Sequence, residues 1–249
     1  MIKLENYEVV GWEHAIRGMR NPKNSWHLSD SGWDAHIPPI ELRNQIYWGD
    51  YAEQYICIDA DSEYSYDIGP KDRKLMMDLA KGGPVHAKYR RMIVVYVDIT
   101  APLYWWKEFD TYKVGTVANS CSTMHKIADK EFTLDDFSRE HLEHGYLNTL
   151  KNTISMLNCA RAKFLETKDK KYWWQMIQLL PSSYNQKRTV MLNYEVLTGI
   201  YPMRKNHKLD EWRDFCTWVE SLPYSEIITG ETVNDDSGVG NGGKDDECS

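Results

Sequence analysis

With 249 residues and a formal net charge of −7, the chain is long enough to bury a sizeable core and too acidic for a general nucleic-acid-binding protein, which needs a basic surface. The longest apolar run, residues 92–97, is too short to span a bilayer, and residues 1–6 lack the layout of a signal peptide. Five scattered cysteines without CxxC spacing favour a reducing compartment, so we expect a cytoplasmic protein that has no membrane partner.

The first predicted elements are a strand and a helix. Residues 2–10 alternate well enough for a strand, which Gly11 interrupts. Residues 12–20 form a predicted helix that ends at Asn21-Pro22. Residues 23–66 show no clear periodicity, and we interpret them as a loop-rich insertion.

A helix, a strand and a second helix are predicted next. Pro70 occupies a typical first helical position, residues 71–81 continue that helix, and Gly82-Gly83 ends it. Residues 91–99 are rich in Ile, Val and Tyr and form the clearest predicted strand. Pro102 begins a helix whose aromatic side chains face the core, and residues 111–130 are predicted to be a polar loop.

The second half of the chain is predicted to be helical. Thr133 is a candidate cap for a long helix, whose apolar face repeats every three to four residues at Leu147, Leu150, Ile154 and Leu157. A further helix begins after Lys171 and is ended by Pro181.

The C-terminal part is predicted to hold two more helices and a tail. One helix covers residues 182–201, with a serine cap at its start and Pro202 after its end, and the other covers residues 208–222. Apolar content collapses over residues 230–249, which we interpret as a disordered acidic tail. The prediction is one α+β domain over residues 1–229, helix-rich in its second half.

Two compositional features have ordinary explanations. Ten Trp and sixteen Tyr are an unusual number, and we expect most of them to fill the core. Two short basic clusters, residues 88–91 and 168–171, are interpreted as solvated ends of elements.

Most sequence motifs with known chemistry are absent. The chain has no GxxxxGK[ST] or GxSxG pattern. His141 and His144 are spaced for two ligands on one helix face, but an exposed polar helix start explains them better, so no metal is predicted. Cys121 and His125 are spaced for a nucleophile pair, although a small residue packed in a loop is the simpler interpretation.

Two segments together resemble one enzyme family. The first joins a glycine turn, a histidine and an apolar strand to an Ala-Pro-aromatic sequence: Gly82-Gly83, His86 and Ala101-Pro102-Leu103-Tyr104. The second joins a Leu-Pro pair to an asparagine, an arginine and a histidine: Leu179-Leu180-Pro181, Asn193, Met203-Arg204 and His207. Over roughly residues 70–222 the chain resembles the flavin-dependent thymidylate synthases.

The resemblance implies an α+β fold in which long helices pack a small sheet, and a homotetramer that binds FAD between its chains. It implies transfer of a methylene group from methylenetetrahydrofolate to dUMP, with NADPH reducing the flavin. Because the flavin activates the pyrimidine in that family, Cys121 needs no catalytic role, and no catalytic residue is assigned.

The resemblance also implies which residues form the site. Cofactor contacts fall on His86, Asn193, Arg204 and His207. Contacts to the nucleotide substrate fall on Glu108, Tyr112, Lys113, Asn119, Ser120, Cys121 and Glu195.

The chain departs from the family at the arginines that hold the nucleotide. The family's Arg-His-Arg falls on Thr111-Tyr112-Lys113, its two serines on Thr116 and Cys121, its closing arginine on Thr123, and the arginine of Asn-x-Arg on Glu195. Each lost charge-assisted hydrogen bond is worth about 1.5–3 kcal/mol, and Glu195 would repel a phosphate dianion. Four cations are candidates to compensate: Lys107, Lys113, Lys187 and Arg188.

Three interpretations remain open. The first is a flavin enzyme that acts on dUMP or a related pyrimidine nucleotide. The second is a non-catalytic nucleotide- or partner-binding protein on the same scaffold. The third is a flavoenzyme with an uncharged or differently charged substrate, which would suit Glu195. That carboxylate either meets a substrate amine or pairs with Lys113.

Overall fold

The computed structural model describes residues 1–33 and 66–230. Most of the predicted insertion at 23–66 and nearly all of the predicted acidic tail at 230–249 lie outside the described residues. Within these ranges, no helix is both long enough and apolar enough to cross a membrane.

The N-terminal part contains the predicted strand and two helices, together with two short strands that the sequence does not predict. They are β1 (Lys3–Val10), α1 (Trp12–Arg20), the short β2 (Gly32–Trp33) and β3 (Tyr66–Asp67), and α2 (Pro70–Lys81). Single 3₁₀ turns cover Asn21–Lys23, Trp26–Leu28 and Lys88–Met92. The β2 and β3 strands pair with each other and bracket residues 34–65.

The middle of the chain contains β4 (Val94–Pro102), α3 (Leu103–Phe109), β5 (Val117–Ser120), α4 (Thr123–Lys126), α5 (His144–Thr167) and α6 (Lys170–Leu179). The strand predicted at 91–99 is shifted, because residues up to Met92 form a 3₁₀ turn. The polar loop predicted at 111–130 contains β5 and α4, which are too short to show a period. Thr133 caps only a 3₁₀ turn, Leu134–Asp136, through a capping box, and the long helix begins at His144.

The last elements are β6 (Asn185–Asn193), α7 (Tyr194–Arg204), α8 (Asp210–Glu220) and α9 (Glu226–Thr229). The helix predicted over 182–201 is therefore wrong in its first half, which is a strand paired with β4 along nine positions. Ser182 and Ser183 cap no helix, and their carbonyls accept hydrogen bonds from the N–H groups of Tyr104 and Ser138. The α7 helix also continues through Pro202.

The main sheet has four antiparallel strands in the order β1-β4-β6-β5. Strand β4 lies inside the sheet, and alternate side chains from Val95 to Ala101 are buried. Helices α1, α3, α7, α8 and α9 contribute to the same core, which includes the fully buried Trp105, Trp106 and Trp212. The prediction that most Trp side chains fill the core is confirmed for these three.

A second, smaller apolar cluster lies under α5 and α6. It contains Leu157, Met176 and Phe137, among others. An isolated bridge between Phe137 and Tyr184 connects this part of the chain to the beginning of β6.

Candidate functional site

His86 lies on the turn between α2 and the 3₁₀ turn at Lys88–Met92. The turn is tight because Gly83 adopts a φ of +87°, and the N–H of His86 donates to the Gly83 carbonyl at 3.0 Å. A Cβ at Gly82 would lie 3.1 Å from the His86 ring, so glycine lets the ring pack closely. The side chain of His86 is exposed on this turn.

His86 lines a groove of about 770 Å³ between α1 and α2. Apolar side chains cover much of its wall, including Leu75, Leu79, Val85 and Met92. Lys23, Lys71 and Lys88 also line it, whereas none of the described lining residues is acidic. The groove therefore combines an apolar wall with positive charge, and its volume is in the range of small-molecule sites.

Two groups fix the wall of this groove. Arg20 donates from Nε to Asp72 at 2.6 Å and from its two other nitrogens to the carbonyls of Ser25 and Leu28, so it is engaged within the chain. Tyr89 donates its hydroxyl to the Met76 carbonyl at 2.8 Å. Burial raises the pKa of Tyr89 to about 12, so this phenol remains a donor at neutral pH.

Four of the predicted site residues meet at the C-terminal end of α7. Arg204 donates from Nε to the Tyr112 hydroxyl at 2.8 Å and from a terminal nitrogen to Glu108. Its guanidinium lies 4.4 Å from the centre of the Trp212 ring, and the Trp212 Nε1–H donates to Glu108 at 3.0 Å. The charge of Arg204 is thus matched within the chain by Glu108.

His207 completes the Arg204 cluster. Its Nδ1 accepts from the Leu209 backbone N–H at 3.2 Å. Its Nε2 is 3.6 Å from Glu108 and 3.0 Å from Arg204. The ring is therefore oriented toward the shared carboxylate.

Asn193 and Glu195 lie at the other end of α7. The Asn193 Oδ1 caps the helix by accepting from the Val196 N–H at 3.0 Å. The loop after Tyr112 packs here, because a Cβ at Gly115 would lie 2.8 Å from Val196 and 3.5 Å from the Asn193 amide nitrogen. Asn193 is therefore next to the loop that the resemblance assigns to the nucleotide.

Glu195 pairs with Arg90, and the predicted partner Lys113 is exposed. The closest atoms of the pair, Arg90 Nη1 and Glu195 Oε2, are 3.7 Å apart. Arg90 is only 9% exposed, yet its Nε and the Glu195 Oε2 are buried without a hydrogen-bond partner. A buried polar group left unpaired costs about 1–3 kcal/mol, so each of these two unpaired atoms lowers the stability of the folded protein.

Lys113, Asn119, Ser120 and Cys121 are exposed, and Asn119 and Ser120 belong to the edge strand β5. Cys121 lines a separate, smaller cavity of about 330 Å³. None of these residues lines the groove, where His86 is the one predicted site residue among the described lining residues. The predicted site is thus divided among the groove, the two ends of α7 and the β5 edge.

Two of the four compensating cations are already engaged. Lys187 lies 3.0 Å from Asp98, and Arg188 donates to Asp110 at 2.7 Å with its guanidinium 4.1 Å from the Trp106 ring centre. His141, for which the sequence analysis predicts no metal, lies 2.8 Å from Asp210. Within the described ranges, no group of three metal-ligating side chains is present.

Sequence reasoning missed Arg90. The prediction of a solvated element end at residues 88–91 is wrong for Tyr89 and Arg90, which are buried. The signal that could have indicated their burial is their position in the sequence, because Tyr89 and Arg90 lie between His86 and the most apolar strand of the chain.

No protein-family model matches this chain, and no curated protein matches it. Solved structures do. A structure of thymidylate synthase X from Helicobacter pylori with FAD and dUMP has a TM-score of 0.56 at 14% identity, covering 91% of this chain and 94% of that one. A second structure of that enzyme complexed with FAD and dUMP has a TM-score of 0.54 at 15% identity, covering 91% and 95%.

A third structure is the UMP/dUMP methylase PolB from Streptomyces cacaoi bound with 5-Br dUMP. Its TM-score is 0.52 at 11% identity, covering 92% of this chain and 95% of that one. Similarity at these identities shows a shared fold. The predicted fold, a small sheet packed by long helices as in the flavin-dependent thymidylate synthases, is confirmed.

Proposed function

We propose that this protein is a flavin-dependent enzyme of the thymidylate synthase type. It binds FAD and methylates dUMP or a related pyrimidine nucleotide, with methylenetetrahydrofolate and NADPH as co-substrates. By the same resemblance it is a homotetramer. Its scattered cysteines favour the cytoplasm as its location, and residues 1–229 form one domain.

The observation that supports this function is the position of His86. In a fold shared with structures that hold FAD and dUMP, the histidine matched to the flavin side lines a groove with an apolar wall and three lysines. The isoalloxazine ring of FAD suits the apolar wall, and the diphosphate of FAD suits the lysines. The residues of the groove therefore fit the cofactor.

The chain's own residues bind and orient in this proposal. His86 contacts the flavin, and Lys23, Lys71 and Lys88 neutralise its phosphates. Asn193 uses only Oδ1 in the helix cap, which leaves its amide nitrogen as a donor for a ligand. When bound, the flavin supplies the electrons that reduce the transferred one-carbon group.

A second candidate is a non-catalytic nucleotide- or partner-binding protein on the same scaffold. The observation in its favour is that the arginines that hold the nucleotide are replaced, and that Arg204 is neutralised by Glu108. Under this alternative the protein binds dUMP or a protein partner and retains no flavin.

The test is the absorption spectrum of the purified protein after addition of FAD and gel filtration. The first candidate predicts flavin bands that co-elute with the protein, and conversion of dUMP to dTMP when both co-substrates are added. His86→Ala should weaken FAD binding about tenfold or more through the lost contact, whereas the exposed His14→Ala on α1 should not. A colourless protein would contradict the enzyme proposal, and dUMP binding without flavin would favour the second candidate.

A further inference from the structure

The groove between α1 and α2 carries positive charge that the described part of the chain leaves unpaired. Its three lysines, Lys23, Lys71 and Lys88, are exposed, and none of their ammonium groups forms an ion pair with a carboxylate of the described residues. The described lining residues include no acidic side chain. A concave surface with several cations and no acid concentrates positive potential, so the groove attracts carboxylates and phosphates.

The chain itself supplies acidic side chains in its C-terminal segment, residues 231–249. This segment contains six acidic residues and one lysine, a net charge of −5, so its removal would change the formal net charge of the chain from −7 to −2. Three of the six carboxylates, Glu231, Asp235 and Asp236, stand one, five and six residues after Gly230, the last residue that the structure describes.

The acidic segment begins next to a wall of the groove. Helix α9 is capped by Gly230, which adopts a φ of +74°. This helix is attached to α2, because Glu226 accepts a hydrogen bond from Arg73 Nε at 2.7 Å. Helix α2 in turn contributes Lys71 to the lining of the groove. The acidic segment therefore leaves from a helix that contacts the helix forming the groove wall.

The groove is within reach of the segment. Positions 71 and 73 lie on different sides of α2, since two successive steps along a helix turn by about 200°, so the segment has to pass around one helix of about 10–12 Å diameter. Five extended residues span roughly 17 Å, which is enough to bring Asp235 and Asp236 to the lysines while Gly230 stays in place. A short tether also gives an effective concentration on the order of millimolar, so weak ion pairs suffice for docking.

We propose that the acidic segment after α9 docks in the lysine-lined groove as an autoinhibitory contact. Its carboxylates pair with the ammonium groups of the groove and compete there with anionic ligands, so FAD binds only when the segment leaves. The docking requires only the groove and the segment, whereas its effect on FAD rests on the proposed function.

Zero-length cross-linking tests the docking directly. A carbodiimide joins a carboxylate and an amine as an amide only where the two groups are in contact. In the full-length protein, digestion and mass spectrometry should find amides between the carboxylates at 231, 235 or 236 and the groove lysines. Their yield should fall in about 1 M salt, which screens exposed ion pairs. Cross-links of the segment only to other lysines, or of the groove lysines only to residues 34–65, would overturn the inference.

FAD affinity tests the competition. One variant neutralises the segment without shortening it: Glu231→Gln, Asp235→Asn and Asp236→Asn. The matched control removes three exposed carboxylates that neither line the groove nor form ion pairs among the described residues: Glu131→Gln, Glu143→Gln and Glu166→Gln. The segment variant should bind FAD at least about threefold more tightly than wild type, because a site that is blocked most of the time loses affinity in proportion to its free fraction. The control should bind FAD as wild type does.

The outcomes separate the inference from the proposed function. Equal FAD binding by wild type and the segment variant overturns the inference and leaves the proposed function standing. An equal gain in affinity by the control variant assigns the effect to net charge and also overturns the inference. Cross-links between segment and groove in a protein that binds no FAD, in either the wild type or the segment variant, support the docking and overturn the proposed function.

Discussion

Asn193 has two roles at the level of a single residue. It is the last residue of β6, where it pairs with Val94, and its Oδ1 caps α7 through the Val196 N–H. The resemblance assigns a flavin contact to the same side chain. Loss of flavin binding in Asn193→Ala could therefore come from the missing contact or from a frayed helix, so substitutions must separate the two.

Asn193→Ala should lower the free energy of unfolding by about 1 kcal/mol, because an unsatisfied helix N-terminus costs that amount. Asn193→Ser keeps an oxygen for the cap and removes the carboxamide nitrogen, so its stability should stay close to wild type. Urea denaturation followed by circular dichroism measures both. If flavin binds in this site, both variants should bind it more weakly. Equal stability of wild type and Asn193→Ala would contradict the capping role.

At the level of elements, the carboxylate of Asp72 on α2 binds Arg20 at the end of α1 and residues 29–31 of the segment that follows it. Asp72 is fully buried and accepts from Arg20 Nε, the hydroxyls of Ser29 and Ser31, and the Asp30 N–H. Asp30 in turn accepts from the N–H groups of Lys71 and Asp72, which are free donors in the first turn of α2. These contacts set the groove wall, since Arg20, Ser25, Leu28 and Lys71 line it.

Asp72→Asn should destabilise the protein by on the order of 3 kcal/mol, because it leaves the buried Arg20 without its counter-charge. Asp78→Asn, on the exposed side of α2, should cost far less. Thermal melts at neutral pH measure the difference. A small effect of Asp72→Asn would mean that the segment is held by its other contacts.

The same carboxylate makes stability depend on pH. Burial raises the pKa of Asp72, but hydrogen bonds from Ser29, Ser31 and Arg20 more than offset burial and hold the pKa below its ordinary value. The ionised Asp72 therefore contributes its full amount to the free energy of unfolding above the ordinary carboxyl pKa of about 4. This contribution is lost as the pH falls through the lower pKa that Asp72 has in the folded protein. The difference in Tm between wild type and Asp72→Asn should accordingly narrow below about pH 4.

At the level of the whole molecule, elements with a local pattern could be predicted and elements defined by distant partners could not. The strand β1 and helices α1, α2, α6 and α8 have their own periodicity, caps or breakers. Strand β6 is defined by its pairing with β4, which is far away in sequence, so the local pattern of its residues wrongly predicts a helix. The site follows the same rule. The resemblance assigns ligand contacts one by one to members of the Arg204 cluster, but the contacts among them, including the ion pair between Arg204 and Glu108, depend on packing.

The two apolar clusters divide the molecule into a larger unit around the main sheet and a smaller unit formed by α5 and α6. Helix α5 is 24 residues long, but only four of them, Leu150, Ile154, Leu157 and Ala160, are buried, and they face α6 rather than the main sheet. The sheet is instead packed by the larger core, which contains the buried tryptophans. Because little apolar surface holds it, the unit formed by α5 and α6 should open at a lower free energy than the sheet.

Native-state hydrogen exchange tests this division. Amides of α5 and α6 should exchange through a partial opening, while those of β4 and β6 should exchange only on global unfolding. Leu157→Ala should destabilise the smaller unit by about 2–5 kcal/mol, since that side chain is fully buried. Met156→Ala, next to it and 60% exposed, is the matched control and should leave exchange nearly unchanged. If Leu157→Ala accelerates the sheet amides as much as those of α5, the two clusters unfold together, because the bridge between Phe137 and Tyr184 then couples them into one cooperative unit.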